Sequence, residues 1–326
     1  IENNSVNLRD FQSRVPSFAV TPGQQSNNVL SIRGITTGGG TNPTVGVTID
    51  DVPYGGSITL GGGNIVPDID PGDLARIEVL RGPQGTFYGA NSMGGVLKFV
   101  TVEPSTTEFS GRIQAGLSQI KGGSDLGYNV RGSVNGPLGD QLAVRASAFQ
   151  REDAGYIDNP VTGREDVNGV TVTGARLAAQ WNPTDELSIG VSAMTQDSEG
   201  DGLNDQFSTL PDLQQGYALA STGAYDRQVE AYSAIARLDL GSIEFASLTG
   251  YNVNSMSDSL DYTFAFGGYF YGDPNAFYAE DQEATRWTQE FRATTSLGEN
   301  IDWLLGVFYT EEDSTWDQGL FASEAD

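Results

Sequence analysis

The chain has 326 residues, which exceeds one ordinary domain. Its 17 basic and 43 acidic residues give a formal net charge of -26, which argues against nucleic acid as a partner. It contains neither Cys nor His, and this excludes disulfides, thiolate metal sites, histidine bases and Ser-His-Asp triads.

Three sequence motifs follow one another between Ser31 and Thr101. They read SIRGI at 31–35, VGVTIDDVPYGG at 45–56 and DLARIEVLRGPQGTFYGANSMGGVLKFVT at 73–101. In this order they resemble the N-terminal plug of TonB-dependent outer-membrane receptors. The resemblance implies a small α+β plug domain lodged inside a large β-barrel, and we assign the plug to residues 1–108. It also implies a signal peptide and a TonB-contacting box ahead of Ile1. Either these segments have been removed or are disordered, or the chain is a fragment.

Two glycine-rich stretches interrupt the plug motifs. They are TTGGGTNPT at 36–44 and YGGSITLGGGN at 54–64. In the resembled family, such loops rise toward the outside and contact the ligand. Asn42 and Tyr54 are the candidate ligand-binding residues, because amide and aromatic groups commonly line recognition sites. The alternative is that both stretches are mobile linkers.

The arginines of the plug motifs suggest a latch between plug and barrel. In the resembled family, the arginines that match Arg33 and Arg81 face glutamates on the inner barrel wall, and Glu290 is the candidate partner here. Arg76 and Glu78 share a strand face and extend the network. Burying a charge cluster has a desolvation cost, so the cluster adds little net stability to the plug–barrel contact. A contact of this kind suits a plug that must be released during transport. Ordinary solvent-exposed pairing in a polar lumen is the alternative.

Beyond residue 108 the sequence alternates apolar and polar residues, which indicates strands with two unlike faces. The lengths suit tilted membrane strands, which need about 9–11 residues to cross. The nine predicted strands are 109–120, 126–136, 140–151, 169–182, 186–197, 228–240, 243–255, 285–297 and 301–313. Plugged transporters use about 22 strands, so nine strands are too few to close a barrel of this kind. Residues 109–326 therefore predict the first part of an antiparallel transmembrane β-barrel, incomplete in this chain.

The arginines of these segments fall on the polar phase of the alternation. A lipid-facing arginine at the middle of a bilayer costs about 2–4 kcal/mol, so a barrel must turn these side chains toward its lumen. The six predicted lumen-facing residues are Arg112, Arg131, Arg145, Arg176, Arg237 and Arg292.

The connections between the predicted strands alternate in length, as in outer-membrane barrels. Short turns at Asn135–Asp140, Asn182–Glu186, Leu240–Ser242 and Gly298–Asn300 alternate with long connections at 152–168, 198–227 and 256–284. The final GLFASEAD is predicted to be an acidic loop. A soluble β-sandwich would show a similar alternation, and the plug motifs favour the barrel over it.

Two acidic clusters could supply hard oxygen ligands for calcium. They are Asp68, Asp70 and Asp73 in the plug, and Asp197, Glu199 and Asp201 further on. Neither has the spacing of a known calcium loop, so solvated carboxylates are the preferred interpretation. No metal or cofactor site is predicted.

The resemblance implies energised import across the bacterial outer membrane, without catalysis. The implied partners are a TonB-type energy-transducing protein, outer-membrane lipid and a chelated nutrient. A ferric siderophore is the first choice, since a chain without His or Cys is poorly equipped to capture bare iron. Oligosaccharide or cobalamin import by the same mechanism stays open. A non-energised porin or adhesin barrel and a soluble acidic hydrolase are the alternatives of other classes.

Overall fold

The computed structural model describes residues 8–22, 28–37, 42–58, 66, 69–220, 222–266, 275–297 and 301–322. The first hundred residues form two small sheets and single-turn helices. Their elements are α1 (Arg9–Gln12), β1 (Phe18–Pro22), β2 (Asn28–Ile32), β3 (Val45–Ile49), β4 (Val52–Tyr54), β5 (Leu74–Arg81), α2 (Gly85–Tyr88) and β6 (Gly95–Thr101). Strands β1 and β2 form an antiparallel pair, and the other four form a sheet in the order β4-β3-β6-β5.

Strand β6 lies inside the four-stranded sheet because its sequence, GVLKFVT, is almost entirely apolar. Val96, Leu97 and Phe99 are completely buried. Strand β6 runs parallel to β3 and antiparallel to β5. The turn between β3 and β4 consists of Asp50 and Asp51, both with positive φ, as a two-residue hairpin requires. The Asp50 carboxylate accepts hydrogen bonds from the backbone N–H and hydroxyl of Thr101, which ties the turn to β6.

The second part of the chain is one nine-stranded sheet, which we call the wall. Every strand pairs antiparallel with its neighbour in sequence, from β7 at one edge to β15 at the other. The strands are β7 (Ser110–Gln119), β8 (Leu126–Pro137), β9 (Leu142–Asp153), β10 (Val170–Trp181), β11 (Leu187–Gly200), β12 (Tyr225–Asp239), β13 (Ile243–Asp261), β14 (Ala276–Leu297) and β15 (Ile301–Ala322), with α3 (Thr263–Phe266) after β13. This confirms the predicted fold class, a plug followed by part of an antiparallel β-barrel.

Several strands run further than the sequence predicted. Strand β13 continues to Asp261 and β14 begins at Ala276, so the long connection predicted over 256–284 shortens to 262–275. The acidic loop predicted for GLFASEAD is wrong at Gly319–Ala322, which belong to β15. Polar residues occupy positions on both faces of these extensions, so the apolar alternation stops while the backbone ladder continues. Residues 298–300 and 323–326 lie outside the described residues.

The two faces of the wall differ as the alternation predicts. The outward face is apolar and exposed, with Ile113 at 87% and Leu305 at 70% of full exposure. On β15 the exposed apolar residues extend from Ile301 to Tyr309, and the next outward positions, Glu311 and Asp313, are acidic. About nine residues is the length of a tilted membrane crossing. The parts of β11–β15 beyond this band therefore lie outside the membrane.

The plug packs against part of the inward face of the wall. One buried cluster combines plug residues such as Ile32, Leu97 and Phe99 with Met194 and Val229 of the wall. The wall begins at Ser110, and the domain division at residue 108 stays a prediction. Among the described residues, no helix is both long and apolar enough to cross a membrane.

Candidate functional site

The interface between plug and wall is the candidate functional site, and its centre is the turn before β5. Pro71–Asp73 form a 3-10 turn, in which Pro71 stands at a starting position that tolerates its missing N–H. The Asp70 side chain caps this turn by accepting a hydrogen bond from the N–H of Gly72 at 2.6 Å. We call Asp70–Asp73 the anchor turn.

Three wall arginines bind the two carboxylates of the anchor turn. Arg131 Nη1 of β8 lies 3.1 Å from Asp70 Oδ1. Arg145 Nε of β9 donates to Asp73 Oδ1 at 2.7 Å, and Arg176 Nη1 of β10 lies 2.9 Å from Asp73 Oδ2. Arg176 also donates to a backbone carbonyl at the end of the plug sheet, that of Val102. Each arginine is less than 10% exposed, so these ion pairs are buried.

Gly72 lets the anchor turn approach the wall closely. A Cβ atom at this position would lie 2.6 Å from Cδ of Arg131 and 2.6 Å from Oδ1 of Asp70. Both distances are too short for carbon contacts, so any larger residue would push Arg131 off its carboxylate. The ion pairs therefore depend on the glycine as well as on the charges.

A second set of plug–wall contacts surrounds β4 and involves mainly neutral groups. The Tyr54 hydroxyl donates to Asn254 Oδ1 of β13, and the N–H of Gly55 donates to Asn252 Oδ1 at 3.3 Å. Arg286 of β14 donates to the carbonyl of Gly55 at 3.0 Å. Burial raises the pKa of Tyr54, so its hydroxyl stays protonated and remains a donor. Glu312 of β15 accepts from the N–H of Ser57 at 2.8 Å.

Val52 of β4 fits into a recess in the wall beside these hydrogen bonds. It packs with Ile235 and Leu248 in a small buried apolar cluster. Gly250 of β13 forms the floor of the recess, because a Cβ atom there would collide with a methyl group of Val52. This part of the interface is held by shape complementarity rather than by charge.

The five residues of the predicted latch are not brought together. Glu290 binds Arg292, two positions along the same strand, at 2.5 and 2.8 Å. Arg76 binds Glu78 at 2.5 Å, while Arg33 and Arg81 are exposed. Within the described ranges, no ion pair joins Glu290 to a plug arginine. Since Arg292 shares the inward face of β14 with Glu290, the nearest cation is on the wall itself.

The other predicted lumen-facing arginines have weaker partners than the three at the anchor turn. Arg237 lies 3.8 Å from Asp51 of the plug and keeps 44% of its side chain exposed. Arg112 is exposed and donates to Gln114 at 3.5 Å. Three further inward arginines were not predicted from the sequence, although each lies at a polar position in the alternation of its strand. They are Arg151, which binds Asp153, Arg227, which donates to the carbonyl of Val66, and Arg286.

The two predicted ligand-binding residues lie in different environments. Asn42 is exposed, and its carbonyl accepts a hydrogen bond from Thr37 at 3.0 Å. Tyr54 is 5% exposed and engaged with the wall, as described above, so it faces no open surface. Its role in the structure is that of a plug–wall contact.

The interpretation of Asp70 and Asp73 as solvated carboxylates is wrong, because Asp70 is buried, Asp73 keeps only 12% of its side-chain exposure, and both bind arginines. No group of three potential metal ligands occurs in the described part of the chain. Asp68 lies outside the described residues. The surrounding Pro and Gly made this segment look like a surface turn in the sequence.

Comparison with known proteins shows what these features are similar to. Residues 1–96 match the model of the TonB-dependent Receptor Plug Domain. The pesticin receptor of Yersinia pestis is 31% identical over 176 residues, covering 51% of this chain and 24% of the relative. The iron-regulated outer membrane virulence protein of Vibrio cholerae is 29% identical over 201 residues, covering 59% of this chain and 29% of the relative. The chain thus spans about a quarter of the length of these curated relatives.

A solved structure extends the similarity over the wall. The ferric yersiniabactin uptake receptor from Yersinia pestis superposes with a TM-score of 0.80 at 20% identity, covering 97% of this chain and 47% of that one. At this identity the match shows the fold. Residues 1–96 therefore match the plug of TonB-dependent receptors, and the wall has the fold of part of the barrel in the solved receptor. This similarity indicates an outer-membrane location.

Proposed function

We propose that the receptor containing this chain imports a ferric siderophore across the outer membrane, driven by a TonB-type energy-transducing protein. The observation that carries the proposal is a plug bound within the wall by buried ion pairs and a fitted apolar contact. The relatives named for pesticin and for ferric yersiniabactin support the choice of cargo. These relatives are transport receptors, which supports a function without catalysis.

The physical task of such a receptor is to hold the plug firmly and release it on demand. The wall binds the resting plug through contacts that a shifted plug would lose. Energy from the transducing protein must offset this difference in affinity between two plug states. Exposed residues on the outer side of the plug, among them Asn42, are proposed to meet the cargo first.

A disulfide between plug and wall tests whether the plug must move. The Cβ of Val52 lies 3.5 Å from the position that a Cβ on Gly250 would take. Disulfides join residues whose Cβ atoms are about 3.5–4.5 Å apart, and replacing Val52 by Cys also removes the colliding methyl group. We expect the Val52→Cys, Gly250→Cys receptor to bind cargo normally when oxidised but to lose energised iron uptake, and to regain uptake on reduction.

The matched controls are the two single cysteine variants, which contain no other cysteine in this chain. Both should transport equally with and without reductant. The crosslink in the oxidised double variant is verified by mass spectrometry. Full uptake by this crosslinked variant would show that β4 stays fixed during transport and would contradict the proposal in this form.

Deleting residues 1–108 separates the proposed receptor from a diffusion porin. A receptor whose plug closes the barrel should become leaky to small solutes after the deletion. Unchanged leakage would instead favour a barrel without gating. A binding panel of ferric siderophores, cobalamin and oligosaccharides then identifies the cargo class by direct competition.

A further inference from the structure

On one side of the inner face of the wall, the arginines outnumber the carboxylates beside them. Strands β7–β10 contain five arginines and only two acidic residues, Glu152 and Asp153. Glu152 pairs in register with Thr171 on the outward face, so Asp153 is the single inward carboxylate of these four strands. A chain with a net charge of -26 therefore presents a cationic sector to its lumen. The five arginines are Arg112, Arg131, Arg145, Arg151 and Arg176.

The plug neutralises this sector incompletely. Two carboxylates, those of Asp70 and Asp73, bind three arginines in the buried contact. Arg131 is only 7% exposed, yet its Nε and Nη2 atoms have no hydrogen-bond partner among the described residues. Buried guanidinium N–H groups without partners favour the binding of an anion. In the closed state, the carboxylates of the plug do not supply acceptors for all of these N–H groups.

Two cavities lie along the seam between the plug and strands β8–β11. The outer one measures about 570 Å³ including space open to solvent, and is lined by Asp70, Arg131 and Phe149. The inner one, about 1100 Å³ including space open to solvent, is lined by Lys98, Gln180 and Arg237 toward the end of β10 that holds the short turns. Arg176 lines both cavities. Its ion pair with Asp73 therefore stands between them.

We infer that this seam is the route by which cargo passes the plug, that the Arg176–Asp73 ion pair is the partition between its two halves, and that the cargo is anionic when it passes. The inference rests on the proposed function. When the anchor turn moves away, it exposes the arginines that it had bound. An anionic chelate can then take the place of the Asp73 carboxylate, so that neither Arg145 nor Arg176 is left without a negative partner.

The test uses the full-length receptor in planar lipid bilayers with a potassium chloride gradient, so it needs neither cargo nor energy-transducing protein. We expect Asp73→Ala to raise the conductance above that of the closed wild type. The Cl⁻ to K⁺ permeability ratio of this conductance should be roughly 3 or more, because arginine-lined pores select anions. In Asp73→Ala, Arg176→Gln the conductance should persist while the ratio falls to about 1.

Glu290→Ala is the matched control. It removes a carboxylate from the inward face of the wall, but its partner Arg292 lies on the same strand and neither residue lines the two cavities, so the conductance should stay at the wild-type level. Folding of each barrel is checked by its heat-dependent electrophoretic mobility. The inference is overturned if folded Asp73→Ala remains closed, if its conductance is not anion-selective, or if Glu290→Ala opens equally. Failure of the disulfide test would instead reject the proposed function while leaving this measurement interpretable.

Discussion

The plug meets the wall in two regions that are held by different physical means. At β8–β10, the anchor turn depends on charge, with buried arginines around Asp70 and Asp73. At β13–β15, the contact around β4 depends on shape and neutral hydrogen bonds, with Val52 in its recess. A buried ion pair contributes little net stability but is costly to break on one side, whereas a fitted apolar contact stabilises directly. The charged region is thus suited to gating, and the fitted region to positioning.

The largest expected effect is at Asp73, because its removal leaves two buried arginines without a carboxylate. We expect Asp73→Ala to weaken plug docking by about 3–5 kcal/mol. The measurement is the urea midpoint for plug release, followed with a fluorophore on the plug. Combining Asp73→Leu with Arg145→Met and Arg176→Met should recover most of the loss, since apolar groups then fill the site. No recovery would mean that the contact needs charge for stability.

An intermediate effect is expected where the plug fits the wall by shape. Gly250→Val inserts a side chain into space that Val52 occupies, and overpacking of this kind costs about 1–3 kcal/mol. Val52→Ala should cost less in the Gly250→Val background than in the wild type, which a double-mutant cycle on the same urea midpoint will show. Additive effects would contradict the direct contact.

A small effect is expected at Glu290, the predicted barrel member of the latch. Its partner Arg292 retains 27% of its side-chain exposure, and ion pairs of this kind contribute about 0–1 kcal/mol. Glu290→Gln should therefore shift the plug-release midpoint only slightly. A loss as large as that of Asp73→Ala would reveal a role for Glu290 in holding the plug that its contact with Arg292 does not explain.

The effect of replacing Asp258 on thermal stability is expected to depend on pH. This residue is near the outer end of β13, beyond the apolar band, where burial followed by repulsion from Glu280 and Asp281 raises its pKa from 3.8 to about 7. The stability that its neutral form provides is present below about pH 3.8 and is lost as the pH rises through 7. Asp258→Asn should melt higher than wild type at pH 8 and equally at pH 3.5. An unchanged difference between these pH values would refute the raised pKa.

Local patterns in the sequence determined the plug motifs, the nine wall strands and the inward phase of the arginines. These features could be predicted because strand alternation and turn chemistry act over a few neighbouring residues. The extensions of β13–β15 could not be predicted in the same way, because they are stabilised by pairing with neighbouring strands and show no regular alternation of apolar and polar residues.

Only the tertiary structure decided which carboxylates the arginines bind. Asp73 and Arg176 are about a hundred positions apart in the chain, and the Pro-Gly sequence around Asp73 reads locally as a solvated surface turn. Likewise, Tyr54 reads as an exposed loop residue until Asn254, two hundred positions away, accepts its hydrogen bond. The sequence determined which way each charge points on its own strand, but packing the plug against the wall determined what each charge meets, since that depends on contacts no local pattern encodes.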